Sequence, residues 1–195
     1  MLIALLLAAA GGLKVDPDAG NNKFDATFDA PLGEKIMATS SAVGCNVTYD
    51  KGTASGTCSV PLTSITVDSE PTKTEHFQQW ATNKKMDAKS CTLEAKFDNL
   101  PLTIPGNFSG PAAFKICGKP GTEQVTGNTL QLPDGRVRVR ARVEHFNRDK
   151  YKIGPKYTEG WLSRVQQLAP VVAEEGTVEI ALFAKPAETK AAARP

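Results

Sequence analysis

Two histidines, four cysteines and four closely spaced arginines are the side chains of this chain that could carry chemistry. His76 follows Glu75 on the polar side of a predicted helix, and His145 shares strand parity with a run of valines. Neither histidine belongs to a recognisable serine or cysteine nucleophile motif, and the acidic residues form no obvious carboxylate pair. We therefore predict a protein that is not an enzyme. His76 is expected at the surface, and His145 in the interior or against a bound headgroup.

The four cysteines predict disulfide chemistry. An even number of cysteines suits an oxidising compartment, and four of them allow three pairings. Cys45 and Cys58 flank a predicted hairpin that turns at Lys51-Gly52, which places them opposite each other. Cys91 and Cys117 differ in strand parity, so a bridge between them needs a bulge or a frayed strand end. We favour the pairs 45–58 and 91–117. With no C-x-x-C and only two histidines, we predict neither a metal nor a cofactor.

The four arginines, Arg136, Arg138, Arg140 and Arg142, occupy alternate positions of one predicted strand. Alternate residues share a face, so the arginines form one side and the interleaved apolar residues Val137, Val139, Ala141 and Val143 form the other. A nucleic-acid groove would have aromatic side chains among the arginines, and the net charge is only +2. We predict a solvated outer face and no nucleic acid. Near Glu144 the alternation breaks, which predicts a bulge or strand end before Phe146.

The elements that must position these residues are mostly strands. About eight or nine alternating segments are separated by Gly, Pro, Asn or Asp, which is typical of an antiparallel, mainly β protein. Two helices are predicted, over 71–87 and 159–170, with apolar stripes that include Trp80 and Trp161. Residues 187–195 read as a disordered tail. We predict one domain.

The N-terminal run MLIALLLAAAGG predicts a signal peptide over residues 1–12. It is apolar, ends in an A-x-A-like site and is shorter than the roughly 20 residues that span a bilayer. We therefore expect a periplasmic or secreted protein without a transmembrane segment. The alternative is that these residues form a buried N-terminal strand or helix.

The segment FNRDKYKIGP carries a resemblance to a known family. Its Arg148, Asp149, Tyr151 and Ile153 match the closing motif of the YceI-like family of exported polyisoprenoid- and lipid-binding proteins, and Lys152 stands where that family usually has glycine. Upstream, VPLTSITVDSEPTKTEHFQQWATNKKMDAKSCTLEAKF is similar to the middle of the family, and LKVDPDAGNNKFDATF to its opening strand. The resemblance covers most of residues 13–186, in the same order.

This resemblance implies a lipocalin-like antiparallel β-barrel of about eight strands with two short helices. It also implies a long-chain isoprenoid or fatty-acid-like lipid as partner, and it leaves a homodimer open. Inward strand parity and the apolar stripes of the two predicted helices select candidate lipid-lining residues, for each of which ordinary core packing is the alternative. They are Phe24, Phe28, Ile36, Leu62, Ile65, Phe77, Trp80, Phe97, Phe114, Val139, Tyr151, Trp161, Val165, Ile180 and Leu182.

Two other functions are consistent with the sequence. One is a ligand-free secreted β-sandwich or barrel that serves interaction or adhesion with a filled core. The other is a lipid isomerase or hydrolase that uses His76 or His145. A fully plugged interior would exclude the lipid-binding hypothesis.

Overall fold

A computed structural model describes residues 11–16, 21–157 and 172–186. The described strands are β1 (Gly11–Val15), β2 (Lys23–Asp29), β3 (Lys35–Ser40), β4 (Gly44–Asp50), β5 (Thr53–Pro61), β6 (Thr66–Val67), β7 (Thr92–Pro101), β8 (Gly106–Ile116), β9 (Lys119–Gln131), β10 (Val137–Asn147) and β11 (Glu175–Pro186). The α-helix of the described residues, α1 (Pro71–Thr82), lies between β6 and β7. Short 3-10 helices cover Pro31–Gly33, Leu62–Ser64, Ala88–Ser90, Arg148–Tyr151 and Pro155–Tyr157.

Eight strands close into a ring in the order β1-β4-β5-β7-β8-β9-β10-β11, and β11 pairs back to β1. Every pairing is antiparallel. This confirms the predicted lipocalin-like antiparallel barrel. The predicted helix over 159–170 and the predicted tail over 187–195 lie outside the described residues. So do residues 1–10 of the predicted signal peptide, whereas Gly11 and Gly12 pair with β4.

Strand β11 gives the barrel two different halves. Its end, from Ala184 to Pro186, pairs with β1, whereas Gly176 to Ala181 pair with β2. From β2 the wall continues through β3 to the short strand β6, and α1 packs beside β6. In one half of the barrel the eight strands therefore form a closed ring. In the other half β2, β3 and β6 extend the wall, with α1 next to them.

The β4–β5 hairpin forms as predicted. Lys51 and Gly52 both have positive φ, of 46° and 84°, which matches the right-handed twist of the flanking strands. Cys45 and Cys58 are direct cross-strand partners and form a disulfide. The hairpin geometry thus confirms the first predicted bridge.

The second disulfide joins Cys91 to Cys117 at the end of the β7–β8 ladder. The last paired residues are Leu93 and Ile116, and Cys117 follows them with a φ of 48°. Its backbone N–H donates to the Thr92 carbonyl at 3.2 Å. The left-handed backbone of Cys117 resolves the mismatch in parity, so the second predicted pair is also confirmed.

The bulge predicted near Glu144 lies between Val143 and Phe146, where the β10–β11 register shifts. It returns Phe146 to the interior at 5% exposure and turns His145 outward. The His145 side chain is 84% exposed and lies 2.5 Å from a Glu175 carboxylate oxygen. The expectation that His145 is interior was wrong, because parity was extended through the bulge.

Helix α1 is shorter than predicted and ends at Thr82 instead of residue 87. Asn83 adopts a left-handed conformation, with a φ of 54°, and its N–H caps the carbonyls of Gln79 and Trp80. Asparagine tolerates this conformation and commonly ends helices in this way. Pro71 begins the helix at a position where its missing N–H costs nothing.

Candidate functional site

The interior of the barrel contains a cavity of about 500 Å³. Its lining comes from the β2–β3 hairpin, from α1, from strands β5, β7, β8, β10 and β11, and from the segment that follows β10. Of the predicted residues, those lining it are Phe24, Phe28, Ile36, Phe77, Trp80, Phe114 and Ile180. The lining is almost entirely apolar, so this cavity suits a hydrophobic ligand.

A second cavity of about 120 Å³ lies in the closed half of the barrel. Its walls include the predicted residues Phe97, Val139 and Leu182. Phe114 and Ile180 line both cavities. The two cavities therefore abut along the barrel interior.

Three predicted lining residues lie elsewhere. Leu62, Ile65 and Tyr151 are fully buried in the core and line neither cavity. Leu62 and Ile65 belong to the short 3-10 segment after β5, where strand parity no longer applies. Trp161 and Val165 lie outside the described residues.

Phe146 lines the larger cavity, although unbroken strand parity would place it on the arginine face. Its ring stacks on Tyr151 at 5.3 Å between centroids and meets Phe28 edge-on at 6.3 Å. Aromatic pairs in these geometries add stability beyond the area that they bury. The break in alternation at Glu144 was the sequence signal that could have placed Phe146 inside.

Polar side chains are concentrated at the α1 side of the larger cavity, namely Glu70, Thr72, Lys73 and His76. Lys73 contacts Asp68 at 2.9 Å and Glu70 at 3.1 Å, and these hydrogen bonds raise the pKa of Lys73. The exposed ring of His76 stacks on Trp80, with 6.2 Å between the ring centroids. This polar edge can hold the head of an amphiphile whose tail lies in the cavity.

Arg148 lines the same cavity, but its guanidinium group donates hydrogen bonds to backbone carbonyls. Its Nε donates to the Ala173 carbonyl at 3.0 Å, its Nη1 to Ile153 at 2.6 Å and its Nη2 to Val172 at 2.8 Å. Burial lowers the pKa of Arg148. A side chain at Gly154 would collide with the guanidinium, so glycine makes room for it. Arg148 thus fastens the segment after β10 to the chain entering β11.

Among the described residues, no cluster of three or more His, Cys, Asp or Glu side chains could hold a metal ion. His76 is the histidine that lies at the cavity, since His145 is on the outer surface. The described helix is also too short and too polar to cross a membrane.

No protein-family model matches this chain, and no curated protein matches it by sequence. Solved structures do match its fold. A polyisoprenoid-binding domain from Saccharophagus degradans, implicated in plant cell wall breakdown, is similar with a TM-score of 0.63 at 12% identity, over 92% of this chain and 100% of that one. BcnA of Burkholderia cenocepacia is similar with a TM-score of 0.64 at 14% identity, over 87% and 98%. A YceI protein of Campylobacter jejuni matches with a TM-score of 0.44 at 12% identity, over 97% and 91%.

The barrel of this chain has the fold of the polyisoprenoid-binding domain and of BcnA. The YceI-like resemblance expected from residues 13–186 is thereby confirmed as a likeness of fold.

Proposed function

We propose that this protein is a non-enzymatic binding protein that holds a long-chain isoprenoid or a fatty-acid-like lipid in its barrel. The observation that carries the proposal is the apolar cavity of about 500 Å³. This volume lies within the roughly 300–1,000 Å³ that is usual for small-molecule sites. The likeness of fold to a domain named for polyisoprenoid binding supports the same ligand class.

Affinity for such a ligand accrues along its chain. Each methylene that leaves water for the apolar wall contributes roughly 0.8 kcal/mol, so few polar contacts are needed. The polar group of the lipid would lie near Thr72, Lys73 and His76, where the cavity meets α1. This orientation leaves the aromatic residues Phe24, Phe28 and Phe114 to contact the chain.

The proposal includes export to the periplasm or the outside of the cell. Both disulfides support it, since disulfides form and persist in oxidising compartments. Whether the protein forms a homodimer stays a prediction.

Organic extraction of the protein from its source cells, followed by mass spectrometry, tests the proposal. We expect one lipid with a long hydrocarbon chain at close to one molecule per protein. An extract without lipid, from protein that also fails to take up added fatty acids or prenols, would contradict the proposal. It would favour the alternative of a ligand-free interaction or adhesion module.

A matched pair of variants on β3 sharpens the test. Ala38 lines the cavity, so the ring added by Ala38→Phe occupies space that the lipid would fill. Its neighbour Met37 faces outward at 41% exposure, and Met37→Phe adds a ring outside the barrel. We expect the first variant to lose bound lipid and the second to keep it.

A further inference from the structure

Five side chains line both cavities and define what we name the waist. They are Cys58, Ala95, Phe114, Val178 and Ile180. Strand register places three of them side by side, because Cys58 pairs with Ala95 and Ala95 pairs with Phe114. Val178 and Ile180 come from β11.

The waist separates the two ends of the barrel. On β8, Ile116 lines the larger cavity and Phe108 the smaller one, with Phe114 lining both. On β11 the smaller cavity continues past the waist to Leu182 and Ala184. The polar edge of α1 belongs to the larger cavity, so a chain whose head lies there reaches the smaller cavity only through the waist.

We propose that the waist determines the length of hydrocarbon chain that the protein accepts. This inference rests on the proposed lipid-binding function. Short chains occupy the larger cavity alone, and longer chains gain affinity only by passing Phe114 and Ala95 into the smaller cavity. Ala95 is the smallest waist side chain, and Phe114 is the largest and only half-buried. These two positions set the width of the passage.

A homologous series of linear saturated fatty acids tests the waist, each acid competing against one fluorescent fatty acid. Within the cavities, affinity should rise about fourfold per methylene. Because Ala95 lines both cavities, the length dependence is the readout: Ala95→Phe should lower the affinity for the longest acids by at least about tenfold more than the affinity for the short ones, since roughly two methylenes outside the barrel already forgo that much. In Phe114→Leu the affinity should keep rising to longer acids than in the wild type.

Ala113→Phe is the matched control. Ala113 neighbours Phe114 on β8 but is exposed on the outer face, so the same added ring leaves the interior unchanged. Its length dependence should follow the wild type.

The outcomes separate this inference from the proposed function. If Ala95→Phe folds, as judged by circular dichroism, and follows the wild type at every length, the waist proposal is overturned while lipid binding stands. If Ala95→Phe does not fold, Phe114→Leu decides. Affinity that keeps rising to longer acids than in the wild type supports the proposal, and an unchanged chain length at which affinity stops rising overturns it. If the wild type binds no acid of any length and no prenol, the proposed function and the waist proposal both fall.

Discussion

Lys152 shows at the scale of one residue how this chain differs from the proteins that it resembles. It occupies a position where the family usually has glycine, and its backbone is left-handed, with a φ of 51°. A side chain costs energy in this conformation, and glycine does not pay that steric penalty. Lys152 also repels Lys119. The pKa of Lys119 is lowered mainly by burial and, to a smaller extent, by the charge of Lys152.

Lys152→Gly should therefore raise the free energy of unfolding, by about 0.5 to 1 kcal/mol. Urea denaturation of the two proteins measures this change. Lys96→Gly is the control, because Lys96 is an exposed residue in the middle of β7, where glycine should destabilise the protein by a similar amount. Destabilisation by both substitutions would show that the left-handed backbone at Lys152 carries no strain.

Tyr151 and Glu123 form a buried polar pair beside the cavity wall. The Tyr151 hydroxyl donates to Glu123 Oε1 at 2.8 Å, and Lys150 Nζ lies 3.1 Å from Oε2. Burial and the Glu123 carboxylate raise the pKa of Tyr151. Tyr151→Phe leaves the buried carboxylate with one partner fewer, which should cost about 1 to 3 kcal/mol of stability.

Chemical denaturation at neutral pH checks this prediction. Tyr49→Phe on β4 removes a hydroxyl far from Glu123 and should change stability by less than about 0.5 kcal/mol. Equal losses in the two variants would mean that the hydrogen bond to Glu123 contributes nothing specific.

Residue types and strand parity predicted the cavity wall well where strands are regular. Phe24, Phe28 and Ile180 could be placed from alternation alone. Leu62 and Tyr151 could not be separated from them, because both lie in 3-10 helices, where strand parity does not apply, and a fully packed side chain is as hydrophobic as a cavity-lining one. The distinction depends on the distance between opposite walls, which local sequence does not encode.

At the scale of elements, the described residues that follow β10, up to Tyr157, are held by a compact ionic cluster. Asp149 accepts from the Tyr157 hydroxyl at 2.6 Å and pairs with Lys156, which also contacts Glu174 at 2.7 Å. The bond from Lys156 and then that from Tyr157 lower the pKa of Asp149. The cluster ties Arg148–Tyr151 to Pro155–Tyr157 and to the start of the last strand.

A carboxyl group with a lowered folded-state pKa stabilises the fold above its ordinary pKa and loses that contribution as pH falls through the folded value. Asp149→Asn should therefore be less stable than the wild type at neutral pH. The difference in melting temperature should close as pH falls below about 4. Thermal unfolding followed from pH 7 to pH 2 measures it. A difference that stays constant over that range would assign the effect to lost packing instead of charge.

Local elements were predictable where a short-range signal exists. The Lys51-Gly52 turn predicted the hairpin and, with it, the register of Cys45 and Cys58. The division of β11 between β1 and β2 was not predictable, because it depends on partners more than 150 residues away in the chain, such as Phe24 opposite Ile180. Such non-local pairings have no signature within either strand.

At the scale of the whole molecule, the barrel encloses a larger cavity next to α1 and a smaller one in its closed half. Side chains that line an empty space lack partner atoms on one side and forgo dispersion contacts. The disulfide Cys45–Cys58 lies in the wall of these cavities, since Cys58 lines both of them and Cys45 lines the smaller one. A covalent link there restrains a part of the barrel that packing alone supports less.

The larger cavity predicts that lipid binding and stability are linked. A ligand that binds only the folded protein stabilises it by about 2.7 kcal/mol when its concentration is 100 times its Kd. For a chain of this size that should raise the Tm by about 5 to 10 °C. Differential scanning calorimetry of protein stripped of lipid by organic extraction, with and without added palmitic acid or a prenol, measures the shift.

The variant pair on β3 shows where the lipid binds. Ala38→Phe, whose ring fills part of the cavity, should already melt higher than Met37→Phe without lipid, and its Tm should rise less when lipid is added. An equal response of the two variants would place the bound lipid on the outer surface of the barrel, because only an interior ligand competes with the ring at position 38.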